Sequence, residues 1–118
     1  MSTATLCTLD SIPDGSARGF ELDPETPILV VRRGEQAWAY INRCPHVGVQ
    51  LNWTPDQFMS LDNATLQCSM HGAQFRIEDG FCIYGPCIGR SLEPLPLTLI
   101  DDRISVTWQP WQPATTDD

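Results

Sequence analysis

An all-β sandwich or barrel is the fold class this 118-residue sequence predicts, and three observations predict it. Apolar residues cluster in short runs rich in β-branched and aromatic side chains. Gly, Pro and Asp punctuate those runs at close spacing. No segment keeps a helical period over a useful length, and Pro55–Leu61 has room for one turn at most.

The elements follow in chain order. Thr5–Leu9 alternates and opens the chain as a strand, and Ile12–Gly19 is a turn-rich stretch. Ile28–Arg32 and Gln36–Ile41 are β-branched or aromatic runs, with Arg33-Gly-Glu35 between them as a tight hairpin turn. Short strands are expected at Leu66–Cys68, Gln74–Ile77, Phe81–Ile83, Leu97–Ile100 and Ile104–Trp108. Asp79-Gly80 and Asp101-Asp102-Arg103 separate neighbouring strands as turns. Residues 110–118 are a polar tail, and no internal repeat is present.

Length and composition bound the function. The chain has room for one domain, residues 1–118, and one core. A formal charge of −8, with no lysine, disfavours nucleic acid and anionic membrane surfaces. Two readings of the acidity stand side by side: attraction to a partner's basic docking patch, or solubility alone. Met1–Asp10 lacks the basic and apolar regions of a signal peptide, and no run approaches the ~20 apolar residues of a spanning helix. The cytoplasm is the expected location. There, five cysteines point to metal or packing rather than to disulfides.

Both histidines of the chain sit beside cysteines, in Cys44-Pro-His46 and Cys68-Ser-Met-His71. The pattern is C-x-H, 21 residues, then C-x-x-H. A thiolate and an imidazole two or three residues apart on a turn can face one metal centre, so two such turns supply four ligands. Pro45, Gly48 and Gly72 flank them, and glycine lets backbone amides approach a cluster's sulfurs. Structural zinc also takes two Cys and two His, but its usual spacings group the cysteines together. Here each turn mixes one sulfur and one nitrogen, which suits a two-iron cluster in which imidazoles replace two thiolates on one iron.

Cys44-Pro-His-Val-Gly-Val-Gln-Leu51, Cys68-Ser-Met-His-Gly-Ala-Gln-Phe75 and Gly85-Pro86 together resemble the Rieske iron–sulfur domain, and the likeness covers most of the chain. The resemblance implies an antiparallel β sandwich or barrel carrying a cluster-binding subdomain at about 43–88. It implies one [2Fe–2S] cluster, with Cys44 and Cys68 on the inner iron and His46 and His71 on the outer one. Gly85-Pro86 would be the loop covering the cluster from a third side.

Departures from the respiratory-chain version of that family shape the expected function. Val49 and Met70 stand where that version has a disulfide-forming pair, so no staple joins the loops. Ala73 and Phe75 stand where it has a serine and a tyrosine donating to cluster sulfurs. Fewer such donors leave the reduced cluster less stabilised, toward the lower end of the Rieske range of about −150 to +300 mV. The gap between His46 and Cys68 is longer than usual by several residues, and the surplus is placed in a surface loop at 54–63 near the cluster face.

Cys82 and Cys87 flank the Gly-Pro loop and are read as small buried residues, as is Cys7. Trp38 and Trp108 are read as packing, and Trp53 adjoins the cluster loop. Asp10, Asp14, Glu21, Asp23 and Glu25 are read as a solvated acidic face. The resemblance implies a soluble ferredoxin that takes single electrons from a flavin reductase and passes them to a terminal oxygenase or similar enzyme, making no bond itself. No histidine remains for a two-histidine, one-carboxylate iron site, so the chain is not itself an oxygenase. A small subunit of a nitrite-reductase-type oxidoreductase, or a structural zinc module, are the alternatives.

Overall fold

A fully buried apolar run sets the architecture. Ile28, Leu29, Val30 and Val31 are all fully buried, which requires a strand covered on both faces. They lie on β3 (Pro27–Arg33), inside a sheet ordered β2 (Ala17–Glu21), β3, β4 (Gln36–Ile41), β8 (Pro94–Leu95). The computed structural model describes residues 2–23, 26–43, 51, 58–59, 64–68, 72–85 and 88–108.

Alternation along this central sheet divides the interior in two. Ile28, Val30 and Ala39 join Leu9, Ile12, Ile104 and Val106 in one core. That core lies against a three-stranded sheet of β1 (Ser2–Thr8), β10 (Arg103–Trp108) and β9 (Leu97–Ile100). Leu29, Val31 and Tyr40 face the other way and join Leu66, Phe75, Ile77 and Cys82 in a second core. The third sheet, β5 (Thr65–Gln67), β6 (Gln74–Arg76) and β7 (Cys82–Tyr84), supplies those partners. Every strand pair is antiparallel. The all-β expectation therefore holds, with a central sheet shared between two cores.

Polar contacts fasten the third sheet to the central one. The buried Tyr40 hydroxyl donates to the Ile77 carbonyl at 2.6 Å. Arg33 donates to Glu78 at 2.5 Å and to the Ala64 carbonyl at 3.1 Å. Gly80, at φ +72, lies under the Tyr40 ring, where an added Cβ would come within 2.8 Å of Cε1. Burial pushes the Tyr40 phenol well above its ordinary range, and the Asp79 and Glu78 carboxylates push it further, so Tyr40 stays a donor.

Asp79 holds the β6–β7 turn. Its carboxylate accepts from Arg76 and from the Phe81 N–H at 3.0 Å. Arg76, then the Phe81 amide, hold its pKa below the usual carboxylate range. A lowered folded pKa stabilises the protein above the unfolded value of about 3.9 and loses that effect as pH falls through the folded value. In thermal melts, the protein is expected to exceed Asp79→Asn in Tm near neutrality, with the difference closing below about pH 4. A constant difference from pH 6 to 2 would contradict this role.

Two elements differ from the expectation. Ala17–Glu21, read as part of a turn-rich stretch and its flank, is a strand paired with β3 from Ala17–Val31 to Glu21–Pro27. Met59 makes an antiparallel bridge to Leu66, and Phe58 is fully buried with its carbonyl accepting from the Gln67 N–H at 2.7 Å. At these two residues the inserted stretch is extended, where one helical turn had been allowed, and it contributes to the core. The rest of 52–63 and the tail at 109–118 lie outside the described residues.

Candidate metal centre

Cys68 directly follows β5 and is fully buried in the core shared with Phe75 and Cys82. Its N–H donates to the Ala73 carbonyl at 2.8 Å, and its own carbonyl accepts from the Gly72 N–H at 2.9 Å. These bonds close the connection between β5 and β6 into a tight loop. Gly72 has φ +70, a conformation that glycine adopts without a Cβ penalty. An added Cβ there would meet only Gln67 Nε2, at 3.8 Å, so conformation rather than space selects glycine at this position.

The loop after β7 presses on the same place. Gly85 has φ +100, and a Cβ added to it would lie 2.7 Å from Ala73 Cα and 3.3 Å from Ala73 N. Both are backbone atoms, so the two loops meet at a separation only glycine permits. Ala73, just before β6, and Phe75, within it, are each fully buried.

The stretch that carries Cys44 and His46 is tied at both ends by one side chain. Asn42 is buried, and its N–H donates to the Pro27 carbonyl at 2.8 Å. Its side-chain oxygen accepts from the Leu51 N–H at 2.8 Å. Leu51 is fully buried in the same core as Cys68. Asn42 therefore positions Leu51, and sequence reasoning missed it; an Asn two residues before Cys44 is the only mark it leaves in the sequence.

Of the four expected ligands, Cys68 is described; Cys44, His46 and His71 lie outside the described residues, as do Val49, Met70, Trp53, Pro86, Cys87 and Trp111. The environment at Cys68 suits an iron–sulfur group: a soft sulfur, apolar walls and glycine-shaped loops that let backbone amides come close. Cys82 differs. It is buried inside β7 opposite Phe75, and its Sγ donates to the Tyr84 carbonyl at 3.3 Å. A thiol donating a hydrogen bond acts here as packing, as expected. Cys7 is partly buried against the other core. Trp38 and Trp108 also pack against the cores, and Trp108 donates to Asp23 at 3.1 Å.

Comparison with known proteins bears on the same elements. The chain is 29% identical over 107 residues to the 3-phenylpropionate/cinnamic acid dioxygenase ferredoxin subunit of Photorhabdus laumondii, covering 91% of this chain and 95% of that one. Its fold matches the ferredoxin of carbazole 1,9a-dioxygenase from Nocardioides aromaticivorans with a TM-score of 0.75 and 21% identity, over 92% of this chain and 100% of that one. The terminal oxygenase of carbazole 1,9a-dioxygenase from a Novosphingobium species matches with a TM-score of 0.75 and 21% identity, over 96% of this chain and 31% of that one. The model of the Rieske [2Fe-2S] domain matches residues 2–105, a span that includes Cys68, the Gly85 contact and every strand except the end of β10. The chain thus belongs to the Rieske [2Fe-2S] domain family, and the group its fold serves is a [2Fe–2S] cluster.

Proposed function

We propose that this chain is a soluble, cytoplasmic one-electron carrier that holds its cluster through Cys44, His46, Cys68 and His71 and passes electrons from a flavin reductase to a terminal oxygenase. The observation that carries this reading is the buried Cys68 loop, closed on Ala73 and met there by Gly85, inside a family whose ferredoxin member matches over nearly its whole length. The cluster supplies a reversible one-electron couple; the protein supplies ligands, a dry inner wall and an exposed face. The chain is a carrier and makes no bond itself. Among the described residues no helix is long and apolar enough to cross a membrane.

The test is direct. Protein purified without added metal is expected to hold about two irons and two acid-labile sulfides and to give an EPR signal on reduction. Colourless protein with one zinc would overturn the assignment.

Ala73 and Phe75 support the low-potential part of the reading, because neither offers a hydroxyl to the cluster. A hydrogen bond that favours the reduced cluster by about 1–2 kcal/mol raises a one-electron potential by roughly 40–90 mV. Ala73→Ser and Phe75→Tyr are each expected to raise the midpoint potential by an amount of that order, measured by voltammetry on cluster-loaded protein. Unchanged potentials in both variants would mean that neither site faces a cluster sulfur.

A further inference from the structure

Strand β4 carries more edge than β8 covers. Alternate residues of β4 turn their N–H and C=O groups toward β8: the Ile41 N–H donates to the Glu93 carbonyl at 2.9 Å, and Ala39 pairs with Leu95. Ala37 is next in that series, but the neighbouring chain departs there. After Pro96, Leu97 pairs with Val106 on β10 instead. Arg32, opposite Ala37 on β3, does not serve it either. Its N–H donates to the Ser16 carbonyl at 2.9 Å, and its carbonyl accepts from the Gly15 N–H at 3.0 Å. The Ala37 N–H and C=O therefore face a gap, with no partner among the described residues.

The gap is a cleft of about 380 Å³. Leu95 and Leu97 wall it on the side of the core that holds Ala39. Trp38, which packs on the core that holds Tyr40, walls the other side together with Glu78 and Asp79. Both carboxylates are paired, with Arg33 and Arg76, yet each side chain stays about half exposed and can accept a further donor. Charges and prolines usually blunt a free strand edge, and Gln36, Ala37 and Trp38 supply neither. The cleft lies at the turn of the β6–β7 hairpin, at the end opposite Gly72 and Gly85.

We propose that this cleft binds an extended segment of a partner protein by strand addition, and that the segment reads basic, apolar, basic. Its central residue exchanges N–H and C=O hydrogen bonds with Ala37 and sets an apolar side chain against Leu95 and Leu97. The residues on either side of it point to the other face, as successive strand residues do, and meet Trp38, Glu78 and Asp79. Basic side chains suit that wall, by charge and by stacking on the indole. The formal charge of −8 on the chain favours the same sign. A partner held here leaves the Gly72 and Gly85 end of the hairpin uncovered, and its binding needs no electron transfer.

The experiment is an NMR titration of isotope-labelled, cluster-loaded protein with the blocked pentapeptide Ser-Lys-Val-Lys-Ser. Saturable shifts are expected at Ala37, Leu97 and the Trp38 indole N–H at peptide concentrations up to about 5 mM. N-methylating the valine removes the N–H that the Ala37 carbonyl accepts, and is expected to weaken binding at least about tenfold. Exchanging both lysines for glutamates is expected to weaken it by at least about the same factor. Ala37→Pro is expected to match the N-methyl peptide with iron content unchanged, because a proline on a free edge removes no ladder bond. Should that variant not fold, the N-methyl peptide decides the matter on wild type. No shifts up to that concentration, equal binding of either altered peptide, or shifts centred on Gly72 and Gly85 would each overturn the proposal. So would a wild-type dimer that the peptide dissociates, which would assign the edge to a second copy. Binding seen only after removal of residues 109–118 would overturn it as well, by assigning the cleft to the chain's own end.

Discussion

Replacing Gly85 by alanine is expected to destabilise the fold by about 2–4 kcal/mol and to strip it of its cluster. Two effects add. At φ +100 a side chain is strained whatever the space around it. The new Cβ would also lie 2.7 Å from Ala73 Cα, and a backbone atom cannot rotate away as a flexible side-chain end can. Relief requires the loop after β7 to lift from the loop that holds Cys68, because Ala73 accepts the Cys68 N–H. Gly72→Ala is the internal comparison. Its φ of +70 is also strained, but its nearest neighbour is the Gln67 side-chain nitrogen at 3.8 Å. It is expected to lose about 1 kcal/mol and to keep its cluster. Urea melts with iron analysis on both variants check this, and equal behaviour of the two would show that loop contact is not what matters at Gly85.

The same contrast shows what the sequence could and could not disclose. Gln36–Ile41 and Leu97–Ile100 were legible to the residue, because β-branched and aromatic runs bounded by turn residues report local preference. Ala17–Glu21 was not, since Ala-Arg-Gly-Phe-Glu carries no alternation of its own and becomes a strand through pairing with Ile28–Val31. The Cys-x-His and Cys-x-x-His spacings are legible because they join residues two or three apart in the sequence. Asn42 holding Leu51, and Gly85 meeting Ala73, join residues that only tertiary packing brings together. Phe58 was hidden for a related reason: a single aromatic in a polar stretch shows no period, yet it is fully buried. The register shift that leaves Ile83 as an extra residue between Cys82, paired with Phe75, and Tyr84, paired with Gln74, belongs with these, since it is a property of how β6 and β7 are matched.

Two buried cysteines in one core allow ligation and packing to be separated. Cys68 and Cys82 are both fully buried and share the core with Phe75. Size and burial alone make them equivalent, and each should lose only about 1–2 kcal/mol on truncation to alanine if both merely pack. Their backbone settings differ. Cys68 sits at the mouth of a closed loop against Gly72 and Ala73, whereas Cys82 sits within β7 and donates to the Tyr84 carbonyl. A metal ligand must be a thiolate, and a thiolate has no proton to donate. Cys68→Ala is therefore expected to abolish the visible absorption and EPR signal and to reduce bound iron to background. Its loss of stability should exceed the packing term, because cluster binding contributes folding free energy. Cys82→Ala is expected to keep the full iron content and spectrum and to lose about 1 kcal/mol. Iron retained in Cys68→Ala would remove Cys68 from the ligand set, and iron lost in Cys82→Ala alone would put the centre on the wrong loop.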